Sequence, residues 1–196
     1  FTFATSYSRF NVRRDLAVQE ANAIGTAYLR LDVLSASKQP ELRAKFRDYI
    51  ESRLAFWRYL GNASALSDEL KRGKDLQSDI WTSAIKATED DSGGRRLLLP
   101  ALNEMIDITT TRLSAIQAHP PPLVFVMLFA LALLCAWLVG HAMGNAEALN
   151  WAHVIGYAAM VTLTIYVIID FEFPRHGLIR LDFAQEALED VKDAMR

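Results

Sequence analysis

Acidic and amide side chains recur at helical spacing in two motifs, one near the start of the chain and one near its middle. Glu104 and Asp107 lie three residues apart, a spacing that places both carboxylates on one face of an α-helix. With Glu20 from another helix, they can bind a cation or form a cation-attracting mouth. The residues of this candidate ion vestibule are Glu20, Asn22, Asn103, Glu104 and Asp107. Helix capping and hydrogen bonds between helices are the alternative role for the same side chains.

A second polar set lies within and after the most apolar part of the sequence. Thr162 and Tyr166 are four residues apart and share a helix face, which makes them candidate pore-lining residues. A hydroxyl that bonds back to its own helix or to a neighbour is the alternative. Asp170, Glu172 and Arg175 follow, and they indicate a charged vestibule or an ion pair coupled to a gate. The alternative there is an ordinary exit from a membrane helix.

The sequence lacks the motifs of enzymes, metal sites and nucleic-acid binding. It contains no G-x-S-x-G, no phosphate-binding glycine loop, no His/Cys metal spacing and no Glu-x-x-His pair. A net charge of −2 gives no basis for nucleic-acid binding. We therefore expect no enzymatic activity, no cofactor, no metal site and no nucleic-acid partner.

Two long apolar runs dominate the second half of the chain. Residues 123–140 and 151–169 are each close to the ~20 residues that a helix needs to cross a bilayer, and only His153 among them is acidic or basic. The single cysteine, Cys135, lies inside the first run as a small apolar residue. The pair predicts a transmembrane hairpin over residues 120–173.

The distribution of arginines predicts the orientation of this hairpin. The connector between the two runs contains no Lys or Arg, whereas Arg9, Arg112 and Arg180 flank the outer ends. By the positive-inside rule the tip lies outside the cell. Residues 9–119 and a C-terminal helix over 174–196 are then cytoplasmic, in a multi-pass protein of the inner (plasma) membrane. We expect residues 1–8 to be the end of an upstream transmembrane helix.

Apolar periodicity predicts four helices in the cytoplasmic region. They cover residues 8–34, 40–60, 67–88 and 98–118, with a surface loop at 89–94. Wide apolar faces joined by short connections are typical of an antiparallel bundle. The predicted fold class is an all-α membrane protein, with a transmembrane helical hairpin and a cytoplasmic antiparallel helical bundle.

Small residues recur every four positions along several predicted helices. This pattern lets helices approach closely, within one subunit or between subunits. The candidate packing residues are Ala17, Ala21 and Gly25, then Ala132, Ala136 and Gly140, and finally Ala152 and Gly156.

Four ordered motifs resemble those of the bacterial bestrophin-like membrane proteins. They are EANAIGTAYLRLD at 20–32, LLLPALNEMIDI at 97–108, HPP at 119–121 and DFEFPRHGLIRLD at 170–182. The resemblance implies a bestrophin-like, four-span subunit with two spans before Phe1. By analogy with bestrophins, which are oligomeric anion channels, it implies a homo-oligomer in the lipid bilayer with inorganic ions as candidate partners.

Two functions follow as hypotheses. The first is an oligomeric ion channel or channel-like pore with a cytoplasmic vestibule. The second is a non-conducting membrane scaffold whose cytoplasmic bundle docks a soluble partner. The shortage of polar residues in the two apolar runs favours the scaffold, whereas the resemblance favours the channel.

Overall fold

The computed structural model describes residues 2–59, 62–144, 151–172 and 182–195, and its regular elements are helices. They are α1 (Thr2–Leu29, followed by a 3₁₀ turn, Arg30–Val33), α2 (Gln39–Tyr59), α3 (Ala63–Ala87), α4 (Ser92–Gln117), α5 (Pro122–Met143), α6 (Trp151–Glu172) and α7 (Asp182–Ala194). No strand occurs in these residues, so the prediction of an all-α chain is confirmed for them. The antiparallel order of the bundle and the transmembrane placement of the hairpin stay predictions.

The start of α4 differs from the sequence prediction. The helix begins at Ser92 rather than Leu98, so the predicted loop at 89–94 is shorter. Asp91 explains the difference, because its Oδ1 accepts a hydrogen bond from the backbone N–H of Gly94 at 2.8 Å. This N-cap satisfies one of the free donors of the first turn and allows two glycines to enter the helix.

Removal of this cap is expected to destabilise α4. Asp91→Ala should cost about 1 kcal/mol, since the Gly94 N–H loses its side-chain acceptor. The measurement is the apparent melting temperature of the full chain in detergent. Asp90→Ala is the matched control because Asp90 is an exposed neighbour outside the cap. Equal melting temperatures for the two variants would contradict the capping role.

The chain divides into two compact units. The core unit comprises residues 11–115 and 181–196, and the apolar unit comprises residues 1–10 and 116–180. Two helices, α1 and α4, contribute residues to both units.

The core unit buries one cluster of apolar side chains. Helices α1, α2, α3, α4 and α7 and the 3₁₀ turn after α1 all contribute members. Its fully buried members include Ile24, Leu31, Phe46, Tyr49, Ile50, Ile80, Leu98, Leu102, Met105 and Leu188. Tyr28 Oη donates to the Met195 carbonyl at 3.1 Å, and Lys192 pairs with Glu51 at 3.1 Å. The C-terminal helix is therefore an integral part of the core unit.

Small residues allow close helix contacts in this unit. Ala17 and Ala21 are buried on α1. A Cβ at Gly25 would lie 3.8 Å from a methyl group of Val191, so α7 packs over this position. Gly73 likewise lies against Ser52, where α3 meets α2.

The apolar unit leaves its helices uncovered. No residue of α5 is buried, and α6 buries only Ile168, Asp170 and Glu172 at its carboxyl end. Both helices are long and apolar enough to cross a membrane by length and composition.

Candidate functional site

The carboxyl end of α6 buries two acidic side chains. Asp170 is 5% exposed and Glu172 is fully buried. His119 Nδ1 lies 3.1 Å from Glu172 Oε1, and Arg9 Nη1 lies 3.6 Å from Glu172 Oε2. We call Arg9, His119, Asp170 and Glu172 the junction cluster, because α1, the α4–α5 connection and α6 meet there. Burial of an ionised carboxylate costs several kcal/mol unless such partners compensate it.

Aromatic rings hold the same end of α6 against α1. Phe171 makes edge-to-face contacts with Phe3, Tyr7 and Phe10, with ring centroids 5.5–5.7 Å apart. The three α1 rings share one helix face. The contacts fix the position of Phe171 and therefore of the two acidic residues on either side of it.

The junction cluster joins two motifs that are distant in the sequence. His119 belongs to the HPP motif, and Asp170 and Glu172 open the DFEFPRHG motif. The sequence indicated a role for the two acidic residues, whereas Arg9 was interpreted only as a basic flank and His119 only as part of the HPP motif. Pro120 and Pro121 hold His119 outside both neighbouring helices, and that position was the available signal. Arg175 lies outside the described residues.

A second buried ionic group lies within the core unit. Glu20 on α1 is fully buried and accepts hydrogen bonds from Arg53 Nε at 2.5 Å and from Arg112 Nη1. We call these three residues, from α1, α2 and α4, the Glu20 triad. The Arg53 guanidinium carbon lies 4.9 Å from the Phe56 ring centroid, and that of Arg112 lies 4.4 Å from the Trp57 ring centroid. Aromatic faces therefore compensate part of the buried positive charge.

The triad determines the ionisation of Glu20. Burial by itself raises the pKa of this carboxyl, but the charges and hydrogen bonds of Arg53 and Arg112 outweigh burial. The pKa of Glu20 is therefore lowered from its ordinary value, and the carboxylate stays ionised.

The predicted vestibule residues do not form one site. Glu20 is enclosed by two guanidinium groups and takes the alternative role predicted for it, an interaction between helices. Asn22, Asn103, Glu104 and Asp107 are exposed. Asn103 Nδ2 donates to Asp107 Oδ2 at 2.9 Å, a local bond within α4. Glu104 and Asp107 are accessible to ions in solution, but the buried Glu20 does not join them in one cation site.

The candidate residues of α5 and one candidate residue of α6, Thr162, line a cavity of about 360 Å³. Its lining includes Ala132, Ala136, Gly140, Tyr157 and Thr162. The small-residue stripe of α5 (Ala132, Ala136 and Gly140) and the candidate pore residue Thr162 therefore face the same apolar groove.

The other candidate residues of α6 do not pack against the described part of the chain. A Cβ at Gly156 would meet no atom of the described residues within 4 Å, and Ala152 is exposed. Tyr166 is also exposed, at 43%. The described residues leave this second face of α6 open.

These features define a class of protein. Its described residues form helices, and two of these helices are uncovered and long enough to cross a membrane. One of the two buries an ionic cluster at its carboxyl end. The family model described as the Bestrophin-like domain matches residues 1–183, so the chain belongs to the bestrophin-like family. No curated protein and no solved structure matches the chain. Most of α7 lies beyond the matched residues.

Proposed function

We propose that this chain is a subunit of an oligomeric, channel-like integral membrane protein of the inner membrane. The observation that carries the proposal is the uncovered apolar surface of α5, where Leu133 is 72% and Trp137 is 63% exposed. Soluble monomers rarely expose a continuous apolar surface of this size. Contact with lipid and with neighbouring subunits would cover the apolar surface of a helix of this length.

In the proposed topology α5 and α6 cross the membrane as a hairpin with its tip outside. Residues 9–119 and the C-terminal helix are cytoplasmic, in accord with the basic flanks of the apolar runs. The junction cluster then lies at the cytoplasmic mouth of the membrane helices. Ionisable residues at the ends of membrane helices commonly mark ion pathways, and the junction cluster is therefore the proposed candidate for one.

Family membership favours an ion channel, whereas one feature of the sequence favours the scaffold. Bestrophins are oligomeric channels, and a small inorganic ion is accordingly the proposed substrate, with no cofactor and no enzymatic step. In the two apolar runs only His153 is acidic or basic, so a conducting path draws its polar lining from elsewhere in the subunit. A non-conducting scaffold has no such requirement.

The two functions separate in one experiment on the full chain. Native mass spectrometry in mild detergent measures the subunit number, and ion flux is measured in reconstituted vesicles against empty vesicles. The channel predicts an oligomer and flux above the control. A monomer, or an oligomer without flux, contradicts it. A co-purifying protein that is lost on reversal of exposed α2 charges (Arg47→Glu, Arg58→Glu) establishes the scaffold instead.

A further inference from the structure

The start of α2 and the end of α3 form a polar cleft that has no part in the proposed function. Its volume is about 480 Å³, within the range of small-molecule sites. The lining comes from the turn before α2, the first turns of α2 and the last turns of α3, all within the core unit. We infer that this cleft is a binding site for a small phosphate ester that carries hydroxyl groups.

The charged side chains of the lining favour an anion. Three ammonium groups and two carboxylates line the cleft: Lys38, Lys45, Lys86, Glu41 and Asp79. Hydrogen bonds from Lys45 and Ser83 lower the pKa of Glu41, so this carboxylate is ionised and counts as a negative charge. The positive charges are still in excess by one, and an anion is therefore attracted to the cleft.

Hydrogen bonds hold two of the three ammonium groups in place. Lys45 Nζ donates to Ser83 Oγ at 2.6 Å and pairs with Glu41 Oε1 at 3.0 Å. Lys38 Nζ donates to the Ala87 carbonyl at 2.9 Å, at the end of α3. An ammonium group has three donors, so each of the two lysines keeps at least one N–H beyond its bonds to the described residues. A ligand therefore meets cationic donors that are already positioned, which lowers the entropic cost of binding.

The type of donor favours phosphate over carboxylate. Arginine is the residue of planar, bidentate recognition, whereas lysine binds phosphate as a point charge. Among the described residues the lining contains no arginine. The hydroxyl group of Ser37, in the turn before α2, adds a neutral donor for a phosphate oxygen.

The acidic side chains and the size of the cleft indicate the rest of the ligand. Glu41 and Asp79 accept hydrogen bonds, which suits hydroxyl groups next to the phosphate. The volume exceeds that of a phosphate ion alone. Both soluble sugar phosphates and the headgroup of phosphatidylglycerol have this chemistry, and the experiment distinguishes the two sources.

Calorimetric titration of the full chain, in neutral detergent and phosphate-free buffer, tests the soluble source. We expect saturable binding of glucose 6-phosphate, and no binding of glucose or succinate. Lys86→Gln removes one exposed ammonium group and should weaken binding about five-fold. Lys74→Gln is the matched control, because Lys74 is an exposed lysine of α3 outside the lining, and it should leave binding unchanged.

Native mass spectrometry with short-chain phosphatidylglycerol or phosphatidylcholine tests the lipid source. Retention of phosphatidylglycerol alone, reduced in K86Q but not in K74Q, assigns the site to a lipid headgroup. Binding of glucose 6-phosphate with the same dependence on Lys86 assigns it to a soluble ester. Binding of neither probe, equal binding of succinate, or equal effects of K86Q and K74Q overturns the site.

Asp79→Asn gives a result that a folding defect cannot imitate. The amide removes one negative charge from the lining and keeps an oxygen acceptor. We expect inorganic phosphate to bind about three-fold more tightly than to the wild type. Weaker or unchanged phosphate binding in D79N contradicts the site. Because every lining residue belongs to the core unit, phosphate-ester binding without ion flux would leave this site and remove the channel.

Discussion

Glu20→Gln is expected to lower the free energy of unfolding of the core unit by about 3–5 kcal/mol. The substitution keeps the shape of the side chain but removes its charge. Arg53 and Arg112, which are 7% and 1% exposed, would then be buried without an anion. Arg112 is the more costly residue, since its Nε and Nη2 have no hydrogen-bond partner among the described residues. The measurement is denaturant unfolding of the full chain in detergent, followed by circular dichroism.

The pH dependence of this effect has a defined sign. Arg53 and Arg112 lower the pKa of Glu20 below its ordinary value of 4.5, despite burial. The stabilisation is therefore fully present above about pH 4.5 and is lost as pH falls through the lower native value. The difference between wild type and E20Q should be constant from pH 7 to pH 5 and should shrink in more acidic solution.

Two controls separate the loss of the ion pair from the loss of any carboxylate. Glu104→Gln changes an exposed glutamate on α4 and should shift stability by less than about 0.5 kcal/mol. The triple variant Glu20→Leu, Arg53→Met and Arg112→Met removes all three charges together. It should recover most of the stability, because an apolar replacement of a buried ionic group is often neutral. An E20Q effect no larger than that of E104Q would contradict the triad.

Leu133→Asp is the second substitution with a large expected effect, and it depends on the environment of α5. Leu133 is at the centre of α5 and is 72% exposed in the chain. In water such a change is nearly neutral, whereas at the centre of a membrane helix Asp costs about 3 kcal/mol. Asp also lacks the long stem that lets Lys and Arg reach the interface. We expect a lower melting temperature in lipid nanodiscs and less membrane-integrated protein.

Leu97→Asp is the matched control for this substitution. Leu97 is a half-exposed leucine on α4 in the core unit, so the same chemical change should have little effect. Equal effects at the two leucines would show that α5 is not surrounded by lipid.

The helices could be predicted because apolar residues recur with the helical period, but their ends depend on local chemistry. Asp91 illustrates this: its hydrogen bond to Gly94 extends α4 through residues that otherwise favour a turn. The uncharged runs that became α5 and α6 were the clearest signal, since length and composition are sufficient to define a membrane-length helix.

The Glu20 triad left a partial signal in the sequence. Arg53 lies between Ile50 and Trp57 at the spacing of the apolar face of α2, and Glu20 lies beside the buried stripe of α1. Opposite charges at core positions of different helices indicate a buried ion pair. The pairing of Glu20 with Arg112 could be identified only in the folded structure, because the two residues are far apart in the sequence.

The junction cluster was predictable only in part. Its acidic residues are conspicuous after an apolar run, but their partners come from α1 and from the α4–α5 connection. No periodicity connects these segments, and aromatic packing around Phe171 brings α1 against the end of α6. The described residues leave faces of α5 and α6 open, and lipid and neighbouring subunits are the coverings proposed for them.

The most direct test of the channel-like subunit is a cryo-EM map of the full-length protein in lipid nanodiscs. The proposed function predicts several subunits around a common axis, with α5 and α6 inside the lipid and a continuous passage along the axis. The junction clusters should lie at its cytoplasmic end. A monomer, or an assembly whose axis is filled with lipid or packed side chains through the whole membrane, would contradict it.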